Sequence, residues 1–569
     1  MDGVVAQQFR MTYVEQFVWR PEFSTSKYNG PGSISYALLT LSGRYKKYPQ
    51  YGDFPECFFF RDYGTWWKEE ACSPVLYRPQ DEDPLQAQDF IVLYFQIALV
   101  PTSVYIYQVY NPGAVIRIWG KMHCGPKWFL LWEGPPRKCK PEAKKFGPPL
   151  RNINCLINLL RIEFNHSLLD YHTSIDAVLL TGHQPLTRLQ AQIIGRGLAN
   201  IHSFVPEPAV SIRNDSSDTS GNDYFSMLPN EIILQIFQRL DLLSLSRCSQ
   251  VSKTWYELSK HGSLYHHISL KPYWNLVRPR TIDYFTDRCT VLKKLDLSWC
   301  DQSMSGSILS EFADSLLRLL FKFKDTITHL DLRDLRYIDD DVIDFIVRCT
   351  KLVELRLKNS REWTRLDDNF MTSLVLLDLT YTQINDLSLI RIMKANPLLE
   401  HLILDQCEGL GDMDALVGVA TRYNKKLRTW RSWKVNAYSE DGFIMFTYFP
   451  DLEDLDLGWC AVDLDVGSSL VAIAQSCRKL KRLILSAWRM LDDESLAAII
   501  ENCKEIRHLD LLGARNISTN VCERALYKLP KLRLLDISYC EGIRRDEVEI
   551  WTQQYPHITI QRSYEINDG

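Results

Sequence analysis

The groups in this 569-residue chain that could hold a metal or attack a substrate include 15 cysteines, 12 histidines and 70 acids. No Cys-x-x-Cys pair occurs, which removes the spacing of a zinc ribbon or ring. The cysteines are scattered through apolar segments, as small buried hydrophobes are in a reducing compartment. Asp170, His172 and Asp176 lie close together, but their spacing dictates no coordination geometry, so neither a metal nor another cofactor is expected. No nucleophile motif or paired-acid constellation stands out, and a hydrolase has no support. What remains is the chemistry of binding. Two aromatic clusters, Arg61-Asp62-Tyr63-Gly64-Thr65-Trp66-Trp67 and Tyr107-Gln108-Val109-Tyr110-Asn111-Pro112-Gly113, have the composition of a site that stacks a sugar or a peptide. An aromatic core closed by a tight turn has the same composition, and buried aromatics outnumber binding ones. Farther on, Asp296, Asp331, Asp378, Asp456, Asp510 and Asp536 recur at one position of a repeating pattern, and Trp299, Tyr381, Trp459 and Tyr539 each follow such an aspartate by three residues.

The elements that must position these groups fall into three blocks. With 46% hydrophobic and 24% charged residues, the chain has the composition of two or three ordinary domains. A formal charge of -4 and a pI near 6.3 argue against a nucleic-acid partner, which calls for a clustered basic surface. Residues 1–17 hold one basic residue, Arg10, and two acids, Asp2 and Glu15, so neither a transit peptide nor a secretory signal is expected there. The longest apolar run, 90–100, contains Gln96 and stops at Pro101, too short for a transmembrane segment. Short alternating runs at 90–99, 103–110, 114–119, 128–132, 159–164 and 175–180, with turn residues between them, predict a β-sandwich or jelly roll over residues 14–182. Residues 183–223 are expected to be a linker, because 211–223 is almost free of apolar residues and has nothing to offset the entropy of ordering.

Residues 224–267 read as helices. Pro229 and Glu231 suit the first turn of one, and Leu228, Ile232, Ile236 and Leu240 recur at four-residue steps, with Ile233 and Phe237 widening the stripe. A second helix is expected over 244–249 and a third over 253–259. So much apolar surface on so few residues needs a partner. The run Leu228-Pro229-Asn230-Glu231-Ile232-Ile233, then Ile236, Phe237, Leu240, Leu245, Val251 and Trp255, resembles the F-box, and the match spans the whole motif without a gap.

From residue 268 to 569 the chain repeats itself. Leu292-x-x-Leu295-x-Leu297 returns at Leu352, Leu355, Leu357, at Leu374, Leu377, Leu379, and onward to Leu532, Leu535, Ile537; from Leu455 the steps to Leu483, Leu509 and Leu535 are 28, 26 and 26 residues. This is the spacing of leucine-rich repeats, each a short strand followed by a helix, stacked into a solenoid with its strands on a concave face. Ile268-Ser269-Leu270 is expected to open the array and Ile558-Thr559-Ile560 to close it. Cys289, Cys349, Cys477 and Cys503 precede repeats by three residues and Cys300, Cys407, Cys460 and Cys540 sit at strand ends, places for a small buried side chain. The six aspartates face the concavity because strand neighbours alternate. They form either an acidic ladder for a basic substrate or, the reading favoured here, internal partners for backbone and basic groups. Trp299, Tyr381, Trp459 and Tyr539 are candidate interface anchors, with edge packing as the alternative. One repeat breaks the leucine rule, with Trp430 and Ser432 at leucine positions and Arg431, Trp433 and Lys434 around them. That irregularity marks either a substrate site or a local packing change.

Taken together, the F-box-like block, YGTWW and YNPGAVIRIW in the front domain, Leu270-Lys271-Pro272-Tyr273-Trp274, and Asp456-Leu457-Gly458-Trp459-Cys460 resemble a family of F-box and leucine-rich-repeat substrate receptors. The resemblance implies a front domain similar to discoidin or galactose-binding sandwiches, a Skp-type adaptor held by the F-box, a cullin reached through it, protein substrates on the concave face, no active site, and a link to mitochondrial quality control. The expected adaptor-binding residues are Leu228, Pro229, Ile232, Ile233, Ile236, Phe237, Leu240, Leu245, Val251 and Trp255. The expected substrate-binding residues are Trp299, Tyr381, Arg431, Trp433, Lys434, Trp459 and Tyr539. The expected location is cytoplasmic or nuclear, with the mitochondrial surface as the alternative that the resemblance implies. The rival function is a carbohydrate- or peptide-binding scaffold that uses the sandwich.

Overall fold

Alternation of apolar and polar residues builds an antiparallel sandwich in the first block, seen in a computed structural model that describes residues 11–26, 35–60, 85–169, 171–185, 228–360, 371–435, 438–461 and 464–563. The Tyr63–Trp67 aromatic cluster, Asp170 and the 211–223 stretch lie outside the described residues. The strands are β1 (Met11–Phe17), β2 (Arg20–Ser24), β3 (Phe58–Phe59), β4 (Asp89–Tyr110), β5 (Val115–Met122), β6 (Trp128–Glu133), β7 (Lys144–Phe146), β8 (Ile157–Phe164) and β9 (Ser174–Pro185). The two expected strands around Pro101 are a single 22-residue strand, β4. Its first half pairs with β2 and β8 and its second half with β9 and β7, so it belongs to both sheets. Pro101 fits because the β4–β9 register shifts between Pro101 and Ser103, a place where a missing N–H costs no ladder bond. Between the sheets lies a core that includes Phe58, Phe60, Leu93, Phe95, Ile106, Ile162 and Phe164.

The second block is three short helices, α1 (Asn230–Phe237), α2 (Leu242–Cys248) and α3 (Lys253–Ser259). Helix α2 starts two residues before the position expected from apolar spacing, because Asp241 caps it by accepting from the Ser244 N–H at 2.8 Å. Ser252 caps α3 in the same way through the Trp255 N–H at 3.2 Å.

The third block is a 12-stranded parallel sheet, from β10 (His267–Ser269) to β21 (Thr559–Gln561), in strict chain order. Ile268, Leu295, Leu330, Leu355, Leu377, Leu402, Trp430, Leu455, Leu483, Leu509, Leu535 and Ile560 stand side by side across it. One continuous core runs from Ile233 of α1 through every repeat to Ile558, so the helical block and the array fold against each other. The cysteines lie inside it. Cys407 donates to the Leu379 carbonyl at 2.9 Å, Cys460 to Ser432 at 3.0 Å and Cys540 to Leu511 at 3.3 Å, each reaching back one repeat. Burial pushes the Cys407 and Cys460 thiols up to about 12, so they are packing groups and poor nucleophiles.

Candidate adaptor and substrate surfaces

Helix α1 carries two apolar lines side by side. Ile233 and Phe237 point inward and are buried, and Leu245 of α2 joins them; the Phe237 ring meets Trp255 edge-on with centroids 5.3 Å apart. Ile232 and Ile236, one residue earlier in each turn, point outward and are 40% and 37% exposed. Val251, at the end of the turn after α2, is 63% exposed, and Tyr256 of α3 is exposed too. Pro229 is also exposed, while Leu228, Leu240 and Trp255 are half-buried. The ten residues expected to meet an adaptor therefore divide. Ile233, Phe237 and Leu245 hold the block onto the solenoid and are not presented to a partner, because the apolar face of α1 is wide enough to serve two surfaces. Ile232, Ile236 and Val251 are the large apolar members of the ten left exposed.

The concave face differs from expectation because the sandwich sits on it. At the start of the array, Phe90, Val92, Ile116, Trp119 and Trp128 of the sandwich pack with Trp274 and Trp299 of the first repeats in one buried cluster. Trp274 lies edge-on to both Trp119 and Trp128 at 5.5 Å. The Arg161 guanidinium is clamped between the Phe90 ring at 3.6 Å and the Trp274 ring at 3.7 Å, with Trp299 at 4.8 Å. Its Nε donates to Glu163 at 2.9 Å, whereas Nη1 and Nη2 reach no acceptor among the described residues and face the rings. Burial pulls Arg161 down to about 10 against the opposing charge of Glu163; it remains a cation, held by aromatic faces.

At the far end of the array the contact is polar. The Tyr171 hydroxyl donates to Asp536 at 2.5 Å and the Ser563 hydroxyl to Asp53 at 2.5 Å, while Tyr110 bonds Gln561 and Tyr36 meets Tyr539 hydroxyl to hydroxyl. His172 lies 3.5 Å from Asp53. Burial first, and the neighbouring Asp510 second, push the Asp536 carboxyl up to about 7. Within the sandwich, the Asn111 amide of the Asn111-Pro112-Gly113 loop donates to the carbonyl of His172 at 3.0 Å. Tyr110 of the aromatic cluster belongs to this seam, packed with Tyr171 and Leu534, whereas Tyr107 packs within the sandwich against Ala177 and Leu179.

The aspartates have structural work in the repeats that carry them. Asp296, Asp331, Asp378, Asp456, Asp510 and Asp536 each accept the backbone N–H two residues on, at 2.9 to 3.2 Å, closing an Asx turn where the strand ends. This is the internal role favoured from the sequence. One residue beyond each of those N–H groups the chain takes a left-handed conformation, with φ of 70° at Trp299, 61° at Tyr381, 66° at Trp459 and 58° at Tyr539. There the backbone N–H reaches the carbonyl of the next repeat, as Trp299 does to Arg333 at 3.1 Å. Trp299 is buried against the sandwich and bonds Asp334 through Nε1 at 3.0 Å, and Tyr539 is half-buried against Tyr36. The anchors expected at the two ends thus already have a partner within the chain. Tyr381 is half-buried and Trp459 exposed.

The irregular repeat is a packing device. Trp430 fills the core in place of leucine, and its Nε1 donates to the Tyr438 hydroxyl at 3.0 Å and to Ser432 at 3.3 Å; a leucine at position 432 has no acceptor to offer. Trp433 is buried and lies over Gly458, where an added Cβ would come within 2.6 Å of the ring. Arg431 is paired with Asp454 at 2.5 Å. Lys434 is exposed. The candidate substrate residues therefore do not form one patch: Trp299, Trp433 and Tyr539 are engaged internally, and Lys434 and Trp459 remain on the surface. No group of three or more potential metal ligands occurs among the described residues, and no described helix is long and apolar enough to cross a membrane.

Residues 225–271 match the F-box-like family model. The chain is 29% identical over 496 residues to F-box/LRR-repeat protein 4 of Bos taurus, covering 82% of this chain and 78% of that protein. The chain is thus similar to F-box/LRR-repeat protein 4 over most of both lengths. F-box/LRR-repeat protein 5 of Xenopus tropicalis is more distant, at 25% identity over 38% of this chain and 34% of its own length. Among solved structures, the yeast Rad7–Elc1 complex aligns with a TM-score of 0.35 at 17% identity, covering 59% of this chain and 89% of that one. An F5/8 type C domain from Bacteroides fragilis aligns with a TM-score of 0.17 at 9% identity, covering 31% and 99%. The matched residues 225–271 include α1, α2 and α3, with the exposed Ile232, Ile236 and Val251.

Proposed function

We propose that this protein is the substrate-recruiting, non-catalytic subunit of a Skp–cullin–F-box ubiquitin ligase. The observation that carries the reading is the exposed line of Ile232 and Ile236, with Val251 exposed after the next helix, on an F-box whose inner line is locked into the solenoid core. A Skp-type adaptor covers that line together with Pro229 and the half-buried Leu228, Leu240 and Trp255, and through the adaptor the cullin is recruited. Substrate proteins are marked for proteasomal degradation at a fixed distance from the ligase, because the F-box and the repeats share one core. With the sandwich seated on both ends of the concave face, substrate lands on the surface left between them, where Lys434 and Trp459 are exposed and Tyr381 is half-buried. The discoidin-like character of the sandwich and a role in mitochondrial quality control belong to the same reading through the family. A cytoplasmic or nuclear location is proposed, with the mitochondrial surface as the alternative. In the rival scaffold reading, the Tyr107–Gly113 loop would have to serve a ligand without Tyr110, which is engaged by Gln561. Co-purification of the full chain from cells tests the proposal: recovery of adaptor and cullin supports it, and recovery of neither overturns it.

A further inference from the structure

The parallel order of the solenoid sheet puts every helix-to-strand loop on one edge and every strand-to-helix loop on the other. Charge is sorted between the two. First turns on the strand-to-helix side carry Asp340, Asp341, Asp386, Asp414, Glu440 and Asp441. On the opposite edge, between the helix Ser307–Phe323 and the 3-10 turn Met445–Tyr448, stand the exposed cations Lys322, Arg348, Lys351, Lys394, Lys425 and Lys426. Of the acids on those same loops, Glu400 is paired with Arg428 at 3.6 Å and Asp451 with Lys479 at 2.6 Å, and Asp325 is exposed among the cations. Helix dipoles favour such sorting, with acids at first turns and bases at last turns. They give no reason for what accompanies the bases: Phe321 is 62% exposed, Tyr448 67%, and Leu398 and Tyr423 are exposed as well, all on the same edge. Lys324 lies 5.3 Å from the Phe321 ring and Lys394 5.9 Å from that of Tyr423.

We propose that this edge binds the surface of an anionic lipid bilayer. The loops lead into the strands from His329–Asp331 to Asp454–Asp456, five strand spacings and therefore a line of about 24 Å at ~4.8 Å each. Loop ends along one edge of a sheet form a straight front, suited to a flat surface. Lysine is depleted at protein interfaces, whereas lysines whose stems lie beside exposed aromatic rings suit the headgroup level of a membrane. The acids on the opposite edge orient the molecule, so that a chain of net charge -4 is attracted by one face only.

The test is sedimentation of the full-length protein with vesicles of phosphatidylcholine alone and with about 30 mol % phosphatidylserine, a composition whose negative surface potential attracts clustered lysines. Binding is expected on the anionic vesicles only, weakening as salt is raised. Lys394→Gln with Lys425→Gln and Lys426→Gln lowers it about a hundredfold, from roughly one fifth of the affinity retained per lysine removed. Phe321→Ser with Tyr448→Ser removes the part that survives high salt. Lys138→Gln with Lys144→Gln on the sandwich leaves binding unchanged. Equal binding to both vesicle types, or full binding by the triple-lysine variant with an unaltered melting curve, overturns the proposal. So does tighter, lysine-dependent binding to a single-stranded oligonucleotide than to the vesicles. The salt titration of the unmodified protein decides the charge dependence even where a variant folds poorly.

Discussion

Replacing Trp274 with alanine should release the sandwich from the solenoid without melting either. Trp274 is fully buried, yet it is grouped with six sandwich residues and Trp299, apart from the leucine core of the array. Truncating a buried tryptophan costs about 3–5 kcal/mol. The clamp on Arg161 at 3.7 Å goes with it, adding up to about 2 kcal/mol when the pair is desolvated. Nearly all of this falls on the interdomain contact, because the solenoid core does not use the side chain. An interface that loses about 5 kcal/mol is populated some thousandfold less. The unmodified protein should melt with the two domains coupled; Trp274→Ala should show two transitions, with the solenoid transition close to its original temperature, and small-angle scattering should report a larger radius of gyration. A single, cooperative transition lowered as a whole would mean that Trp274 belongs to the solenoid core and that the seat described here is wrong.

The other end of the seat predicts a pH dependence. Burial under the sandwich, with Asp510 beside it, pushes Asp536 up to about 7 when docked; release exposes the carboxyl and lowers it toward the ordinary carboxylate range, so docking is favoured while the proton is retained. That contribution is complete below pH 4 and is lost as pH rises through 7, by up to about 1.4 kcal/mol per pH unit; comparing interdomain protection from proteolysis at pH 6 and 8 measures it, and Asp536→Asn should flatten the profile. In the irregular repeat, Trp430→Leu restores the leucine pattern but should destabilise by about 2 kcal/mol or more through lost packing, while the Tyr438 hydroxyl keeps its bond to Ser432 at 2.6 Å. A raised melting temperature for Trp430→Leu would contradict the packing account. Cys460→Ser should lower stability by about 1 kcal/mol or more, since a hydroxyl is costlier than a thiol to bury, and a thiol-reactive probe should label Cys460 only on unfolding.

The repeat array was legible because each strand needs the same inward leucine, and a fixed spacing survives even where Trp430 takes that place. The caps of α2 and α3 were weaker signals: Asp241 and Ser252 act through side-chain oxygens that apolar periodicity does not register. Helix α1 shows a different limit. Ile232 and Ile233 are adjacent, both apolar, and sit on opposite sides of the decision between partner and core; only the neighbouring elements assign them. The seat of the sandwich was not legible, since Tyr171 and Asp536 are 365 residues apart and Ser563 and Asp53 510 apart, with no period connecting them. Arg161, a cation within an apolar strand of the sandwich, was the one local hint, because a buried guanidinium requires partners from somewhere. The aspartate ladder shows how a conspicuous pattern can be internal: its carboxylates close turns within their own repeats.

The central claim is that the outer line of α1 binds the adaptor while the inner line holds the F-box to the array, and an affinity titration of the full chain with a purified Skp-type adaptor tests it. Ile232→Ala with Ile236→Ala should weaken binding several-hundredfold, from about 2 kcal/mol for each anchor, with the melting curve unchanged. Phe237→Ala should instead lower the melting temperature of the F-box. Undiminished adaptor affinity in the Ile232/Ile236 variant, with the protein folded, would contradict the account.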